Sequence, residues 1–244
     1  MKFMAMHKHD AHTEAGRLPT PEFMQRMGAY IGAMAASGQL VEGEGLGATK
    51  TRSRVSIREG RATVAHGPYA GRGNELPASV AKIATASREE AIAWATALGR
   101  ELGGDVELEV GKITEPWDLG LAPAPPGAPE RYLVINKITG APEADRLPAL
   151  VGAAARVTAP ATVLAEIVLT PTSQGKRIVT RGASRSVVDG PFTESKELIG
   201  GYAVLEMTSM EACLASCLEY CDILRTGGGD VEIDLRPLHA LVAR

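Results

Sequence analysis

The sequence predicts an α+β protein made of two tandem copies of one structural unit. Hydrophobic residues form 45% of the 244 and charged residues 23%, which is the balance of an ordinary globular protein. Short segments recur in the same order along the chain, which is the mark of an internal repeat. The clearest recurrence matches the segment GGDVELEV, which begins at Gly103, with GGDVEIDL, which begins at Gly228.

Two further matches support the repeat. The segment Thr13–Pro19 matches Pro142–Pro148 at an offset of 129, and His66–Tyr69 matches Asp189–Phe192 at an offset of 123. The change from 129 to 123 predicts a six-residue deletion near the front of the second copy.

A proline-rich stretch separates the two copies. Residues 115–130 carry the run APAPPGAP, which is typical of an extended linker. We therefore predict domains at 1–114 and 131–244, joined by that linker.

Hydrophobic periodicity gives the first copy the order β-α-β, a hairpin, then β-α-β. Thr20 and Pro21 fit the cap and first position of a long helix, and Ser87 with Glu90 fits a capping box for a second one. The predicted strands cover 3–7, 39–46, 52–58, 61–65, 79–86 and 105–113.

The second copy repeats this order with a shortened front helix at 149–157. Thr208 with Glu211 fits a capping box for its last helix, which runs to Leu224. The predicted strands cover 132–137, 162–169, 177–181, 186–188, 202–207 and 231–235. This order is that of a ferredoxin-like unit. Such a unit has one sheet face without helices, so we expect the copies to pack sheet to sheet as an internal pseudo-dimer.

The stretch Val188–Tyr202, VDGPFTESKELIGGY, closely resembles the signature of the DGPF-motif or YCII-related family. The first copy resembles the front half of that family in Thr13–Gly16 and Gly43–Leu46. The resemblance implies a dimeric α/β-barrel fold, in which two ferredoxin-like units press their sheets together. Relatives of that fold include small isomerases, monooxygenases and dehalogenase-like enzymes that act on ring compounds.

Two functions follow from the resemblance and stay open. In the first, the protein binds or transforms a small molecule in a cleft between its two domains, and the residues fit either an enzyme or a binding protein. In the second, it is a non-catalytic regulatory or scaffold module, because many genes of the family lie beside those for extracytoplasmic-function sigma factors. A further homodimer is compatible with both.

Composition excludes several other classes. With 26 basic and 29 acidic residues the net charge is −3, which argues against a nucleic-acid partner. Three cysteines cannot form a disulfide framework, so a cytoplasmic location is expected. No apolar run approaches the roughly 20 residues that span a bilayer, and polar residues interrupt the N-terminal segment by His7, so no membrane partner is expected. Neither a metal nor a cofactor is predicted.

Asp189 and His7 are the two candidate catalytic residues. A carboxylate beside a Gly-Pro turn suits a general base, although Asp also stabilises turns through backbone N–H groups. An unperturbed imidazole titrates near neutrality, so His7 suits a proton shuttle. His7, His9 and nearby acids match no dedicated zinc motif.

Seven further residues are candidate ligand contacts, with solvent-exposed positions as the alternative. Glu42 and Glu44 lie two apart, so they share a strand face, and the others lie beside His7 or in the signature. The seven are Glu14, Glu42, Glu44, Thr193, Glu194, Lys196 and Tyr202. Because the first copy keeps the front motifs and the second keeps the signature, we expect either one composite site or one site plus a structural half.

Two further clusters favour structural roles. Arg52, Arg54 and Arg58 share one strand face, and the last two recur as Arg177 and Arg181. These arginines fit charged sheet edges better than anion ligands. Cys213, Cys217 and Cys221 lie four apart, where the first copy has alanine and glycine, so packing is expected.

Overall fold

The computed structural model describes residues 1–71, 74–139, 143–195, 198–227 and 229–243. Within these ranges twelve strands and six α-helices form, which confirms the α+β class. The helices are α1 Ala11–Glu14, α2 Pro21–Ala36, α3 Arg88–Leu102, α4 Glu143–Leu150, α5 Ala153–Arg156 and α6 Met210–Leu224. The first six strands are β1 Lys2–Lys8, β2 Leu40–Gly45, β3 Ser53–Arg58, β4 Arg61–His66, β5 Pro77–Thr85 and β6 Val106–Lys112. The last six are β7 Glu130–Lys137, β8 Thr162–Leu169, β9 Lys176–Arg181, β10 Ser184–Asp189, β11 Ile199–Glu206 and β12 Val231–Ala243.

The chain divides into two compact units that do not coincide with the two sequence copies. Unit 1 consists of Met1–Gly45, Thr172–Thr193 and Leu198–Leu238, and the body of unit 2 is Leu46–Pro171. Unit 1 therefore joins the front of the first copy to the back of the second. The predicted boundaries 1–114 and 131–244 follow the repeat, whereas each compact unit combines part of the first copy with part of the second.

Strand pairing explains this exchange. In unit 1 the strand order is β2-β11-β1-β12-β9-β10, with antiparallel neighbours. Strand β11 lies between β2 and β1, and β1 lies between β11 and β12. The strands of the two β-α-β units, β1-α2-β2 and β11-α6-β12, therefore alternate in the sheet. The first strand of the chain thus completes its sheet with the last two.

Unit 2 has the same arrangement in a different chain order. Its strands follow the order β8-β5-β7-β6-β3-β4, with β7 in the central place that β1 takes in unit 1. Consecutive strands β6 and β7 pair antiparallel, with Gly111 opposite Leu133. Residues 115–130 are therefore a connection inside unit 2. Near its start, Glu115 accepts from Arg131 Nε at 2.6 Å.

The helices of each unit cover one sheet face. In unit 1, α2 and α6 pack on alternate residues of β1 such as Phe3 and Ala5. Cys213, Cys217 and Cys221 are fully buried in this core, as expected for packing. In unit 2, Trp94 and Leu98 of α3 pack on Val134 of β7 and its neighbours.

Local structure departs from the sequence expectations at two helices. The last helix is capped by Ser209, whose hydroxyl accepts from the Ala212 N–H at 3.1 Å, so Thr208 is not the cap. The front helix of the second copy is two short helices, since Gly152 adopts a left-handed conformation between α4 and α5. In the described ranges no helix is both long and apolar enough to cross a membrane.

Candidate functional site

His7 forms a hydrogen-bonded pair with Tyr220 on the helix-covered face of unit 1. His7 lies two residues beyond Ala5, so its half-buried ring faces α6, and its Nδ1 lies 2.8 Å from the Tyr220 hydroxyl. Tyr220 stacks on Tyr30 of α2, with ring centroids 5.9 Å apart. Burial raises the pKa of Tyr220 well above its ordinary value and that of Tyr30 to about 12. Both phenols are therefore protonated at neutral pH.

Two glycines of β11 make room for the His7 ring. His7 lies opposite Gly201 in the β1–β11 register. A Cβ at Gly201 would lie 2.5 Å from His7 Cε1, and one at Gly200 would lie 3.0 Å from His7 Nε2. Any larger residue would displace the imidazole, so the backbone and the ring are fitted to each other.

His9 and Glu14 form a second pair just beyond the end of β1. His9 Nε2 lies 2.8 Å from Glu14 Oε2, and α1 places Glu14 there because Asp10 caps that short helix. Glu14 therefore pairs with His9, which lies two residues after the predicted catalytic residue His7.

Three predicted ligand contacts meet on the opposite, helix-free face of unit 1. The Tyr202 hydroxyl donates to Glu42 Oε1 at 2.7 Å. Tyr202 pairs in register with Glu44, so the three side chains share one face of β2 and β11. Because alternate residues face opposite sides, this group and His7 lie on different faces of the sheet.

Unit 2 lacks counterparts of both the His7–Tyr220 pair and the set of polar side chains around Tyr202. The counterpart of His7 is Asn136, which is buried and lies opposite Ser79. The counterpart of Tyr220 is Leu98, in the apolar core. At the places of Tyr202, Glu42 and Glu44, unit 2 has the apolar residues Val80, Ala165 and Ile167. The His7–Tyr220 pair and the polar set around Tyr202 therefore occur in unit 1 and not at the matching positions of unit 2.

Asp189 and His7 are not brought together. Asp189 ends β10, is exposed, and accepts from Lys176 Nζ at 2.5 Å. Three strand spacings separate β10 from β1, or about 14 Å at ~4.8 Å per strand. Five spacings, about 24 Å, separate it from the strand that carries Glu42 and Glu44.

The rest of the signature has structural contacts. A Cβ at Gly190 would overlap the carbonyl oxygen of Thr172. Phe192 is buried and lies under the Arg177 guanidinium, 4.5 Å from the ring centroid. Thr193 and Glu194 are exposed, and Lys196 lies outside the described residues.

Two of the arginines expected at a charged sheet edge, Arg52 and Arg54, are instead buried in an ion network on the helix-free face of unit 2, whereas the Arg58 side chain is 48% exposed. Arg52 and Lys137 contact the two oxygens of Glu109 at 2.8 and 3.1 Å. Lys137 and Arg54 contact Glu75 at 2.7 and 2.8 Å. These five side chains are at most 2% exposed. Burial alone would raise the pKa of Glu109, but Lys137 and Arg52 outweigh it and lower that pKa to about 2.

Unit 1 carries a smaller version of this network. Asp234 lies 2.6 Å from Lys8 Nζ and 2.5 Å from Arg177 Nε. Burial would raise the pKa of Asp234, yet these cations lower it. Glu232 lies 3.3 Å from Arg177 Nε and 4.0 Å from Lys8 Nζ.

One buried arginine lies at different positions in the two units. Unit 2 has Arg52 facing Gly111, with a Cβ at Gly111 3.8 Å from Arg52 Cδ. Unit 1 has Gly175 and Arg236 at the corresponding positions, and a Cβ at Gly175 would lie 3.0 Å from Arg236 Cγ. Each unit thus buries one guanidinium here, supplied from opposite strands.

Sequence reasoning missed Tyr220, the direct partner of His7. A signal was present, because Tyr220 lies one helical turn beyond Cys217, on the same side of a helix that packs on the strand carrying His7. Comparison of the chain with protein-family models, with curated proteins and with solved structures yields no match. The resemblance to the YCII-related family therefore stays a prediction.

Proposed function

We propose that the protein binds or transforms a small molecule in unit 1, with His7 as the residue that exchanges a proton with it. The observation that carries this proposal is the 2.8 Å pair between His7 Nδ1 and the Tyr220 hydroxyl. An imidazole whose Nδ1 is held by a partner has a defined orientation, which suits a group that exchanges a proton with a bound molecule.

Tyr220 is a positioning residue in this proposal. When His7 gains a proton both ring nitrogens are donors, and the Tyr220 oxygen accepts from Nδ1. Because burial raises the pKa of Tyr220, the phenol does not itself ionise at neutral pH. Gly200 and Gly201 are consistent with the same role, since their lack of a side chain leaves the space that the His7 ring occupies.

The asymmetry between the units also favours this site. Unit 2 keeps the fold with Asn136 and Leu98 at the places of His7 and Tyr220, so the fold does not require the pair. The proposal retains the ferredoxin-like pseudo-dimer implied by the family resemblance. In each unit the helices leave one sheet face free, which supports that arrangement.

A thermal-shift screen with a panel of metabolites tests the proposal. A compound at about 100 times its dissociation constant should stabilise the wild type by roughly 2.7 kcal/mol. We expect His7→Asn, which copies unit 2, to abolish the shift, and Tyr220→Phe to reduce it. The control Arg61→Ala on the exposed strand β4 of unit 2 should retain it.

The outcome separates the two functions. A compound that stabilises wild type and His7→Asn equally would contradict a site at His7. If the whole panel leaves the wild type unchanged, the non-catalytic regulatory or scaffold function is favoured instead.

A further inference from the structure

The outer strand of the unit 1 sheet is a second candidate surface. In the part of the chain that the structure describes, β10 pairs with β9 alone, so its other edge has no strand neighbour. All six of its residues are exposed, and Val187 and Val188 are 42% and 47% exposed. An exposed edge strand with adjacent valines is a template for pairing with another strand.

We propose that β10 pairs antiparallel with β10 of a second copy of this chain, about a two-fold axis through Val187. In that register Arg185 lies opposite Asp189 of the second copy, and Asp189 lies opposite its Arg185. The strand is therefore complementary to itself in charge, as a two-fold interface requires.

The other two-fold registers lack this match. An axis through Arg185 or Asp189 places like charges opposite each other, which is unfavourable. An axis through Ser186 sets Arg185 against Val187, and one through Val188 sets Arg185 against Pro191. Pro191 cannot donate to a ladder.

Existing contacts extend the row of charges. Arg185 and Asp189 lie four residues apart on β10 and therefore on the same strand face. Arg185 bonds Asp222 of α6, and Asp189 bonds Lys176 of β9. Across the proposed axis these form rows of alternating sign, from Asp222 through Arg185 to Asp189 and Lys176 of the second copy.

The corresponding edge strand of unit 2 provides a matched control. Strand β4 is similarly exposed and is the last strand in its sheet order. It contains Arg61 and His66 but no acidic residue, so no two-fold register pairs opposite charges. The charges therefore favour β10 as the strand that pairs with itself.

Sedimentation of the full chain over a range of concentrations tests the proposal. The wild type should form a dimer that weakens when salt rises from about 0.05 to about 0.5 M, because partly exposed ion pairs are screened. Arg185→Asp and Asp189→Arg each make both charge pairs repulsive, so each should weaken the dimer by about tenfold or more.

Two combinations make the test specific. The double variant Arg185→Asp/Asp189→Arg should restore the dimer, and an equimolar mixture of the two single variants should form a heterodimer. Val187→Lys should abolish dimers by placing two lysines on the axis, whereas Arg61→Asp on β4 should leave them intact. A monomeric wild type, larger polymers, or single variants that dimerise as the wild type does would overturn the proposal.

Discussion

The two ion networks have the same plan but differ in how completely they are withdrawn from water. In unit 2 the side chains of Arg54 and Lys137 are 2% and 0% exposed, whereas their counterparts in unit 1, Arg177 and Lys8, are 16% and 5% exposed. A fully buried ion has no access to water when its partner is removed, but a partly exposed one can be resolvated. Removing one partner from the network of unit 2 should therefore cost more stability than the matching change in unit 1.

The largest expected effect comes from neutralising the central acid of each network. Glu109→Gln leaves Arg52 and Lys137 buried with one fewer counter-charge, so we expect a loss of about 3–5 kcal/mol. Asp234→Asn should lose less, about 1–3 kcal/mol, because its partner Arg177 is 16% exposed and can be resolvated. Urea unfolding at neutral pH, followed by far-ultraviolet circular dichroism, measures both values.

The exposed Glu59→Gln is the matched control and should change little. Equal losses for the two central acids would contradict the difference in burial.

The pH dependence follows from the pKa of Glu109. Its folded pKa of about 2 lies below the unfolded value of about 4.3, so the stabilisation is complete above pH ~4.3. It is lost as pH falls towards the folded pKa. In Glu109→Gln the free energy of unfolding should therefore depend less on pH between about pH 2 and pH ~4.3.

A smaller effect is expected at the glycine–arginine pair that is reversed between the units, Gly175 and Arg236 in unit 1. Gly175→Arg alone should overpack unit 1, since even a Cβ there meets Arg236 Cγ at 3.0 Å and Leu235 O at 3.1 Å. Arg236→Gly alone removes a buried guanidinium and leaves a void. We expect each to lose about 1–3 kcal/mol.

The double variant Gly175→Arg/Arg236→Gly reproduces the arrangement of unit 2. It should recover part of the loss, with a coupling of about 0.5–3 kcal/mol in a double-mutant cycle. Strictly additive losses would show that the two positions are independent and that their exchange between the units is accidental.

The sequence predicted the α+β class and most strands, because their alternation and capping residues are local signals. Thr20 and Ser87 cap the helices that they were expected to cap. The strand pairing was harder, since β1 and β7 have similar patterns and either could complete either sheet. The antiparallel pairing of β6 with β7 is not encoded in the periodicity of either strand, so the exchange of halves was not foreseen.

The candidate site was predictable only in part. His7, Glu42, Glu44 and Tyr202 share unit 1, but residue spacing could not reveal that His7 faces the helices while the others face away. That depends on which strand face the helices cover. The burial of Arg52 and Arg54 was also missed, because a short strand with alternating arginines has the same pattern at a solvent edge and over a buried acid.

The smallest expected effect concerns the aromatic ring beneath each arginine. Arg54 lies 4.6 Å from the Tyr69 ring centroid, and Arg177 lies 4.5 Å from that of Phe192. The Tyr69 hydroxyl is buried and finds no hydrogen-bond partner within the described ranges. Tyr69→Phe should therefore retain the cation–π contact and stabilise unit 2 by up to about 1 kcal/mol. The converse change, Phe192→Tyr, should destabilise unit 1 by a similar amount, and opposite signs in thermal unfolding would verify the comparison. A clear loss of stability in Tyr69→Phe would mean that the hydroxyl has a partner and that the two aromatic sites are not equivalent.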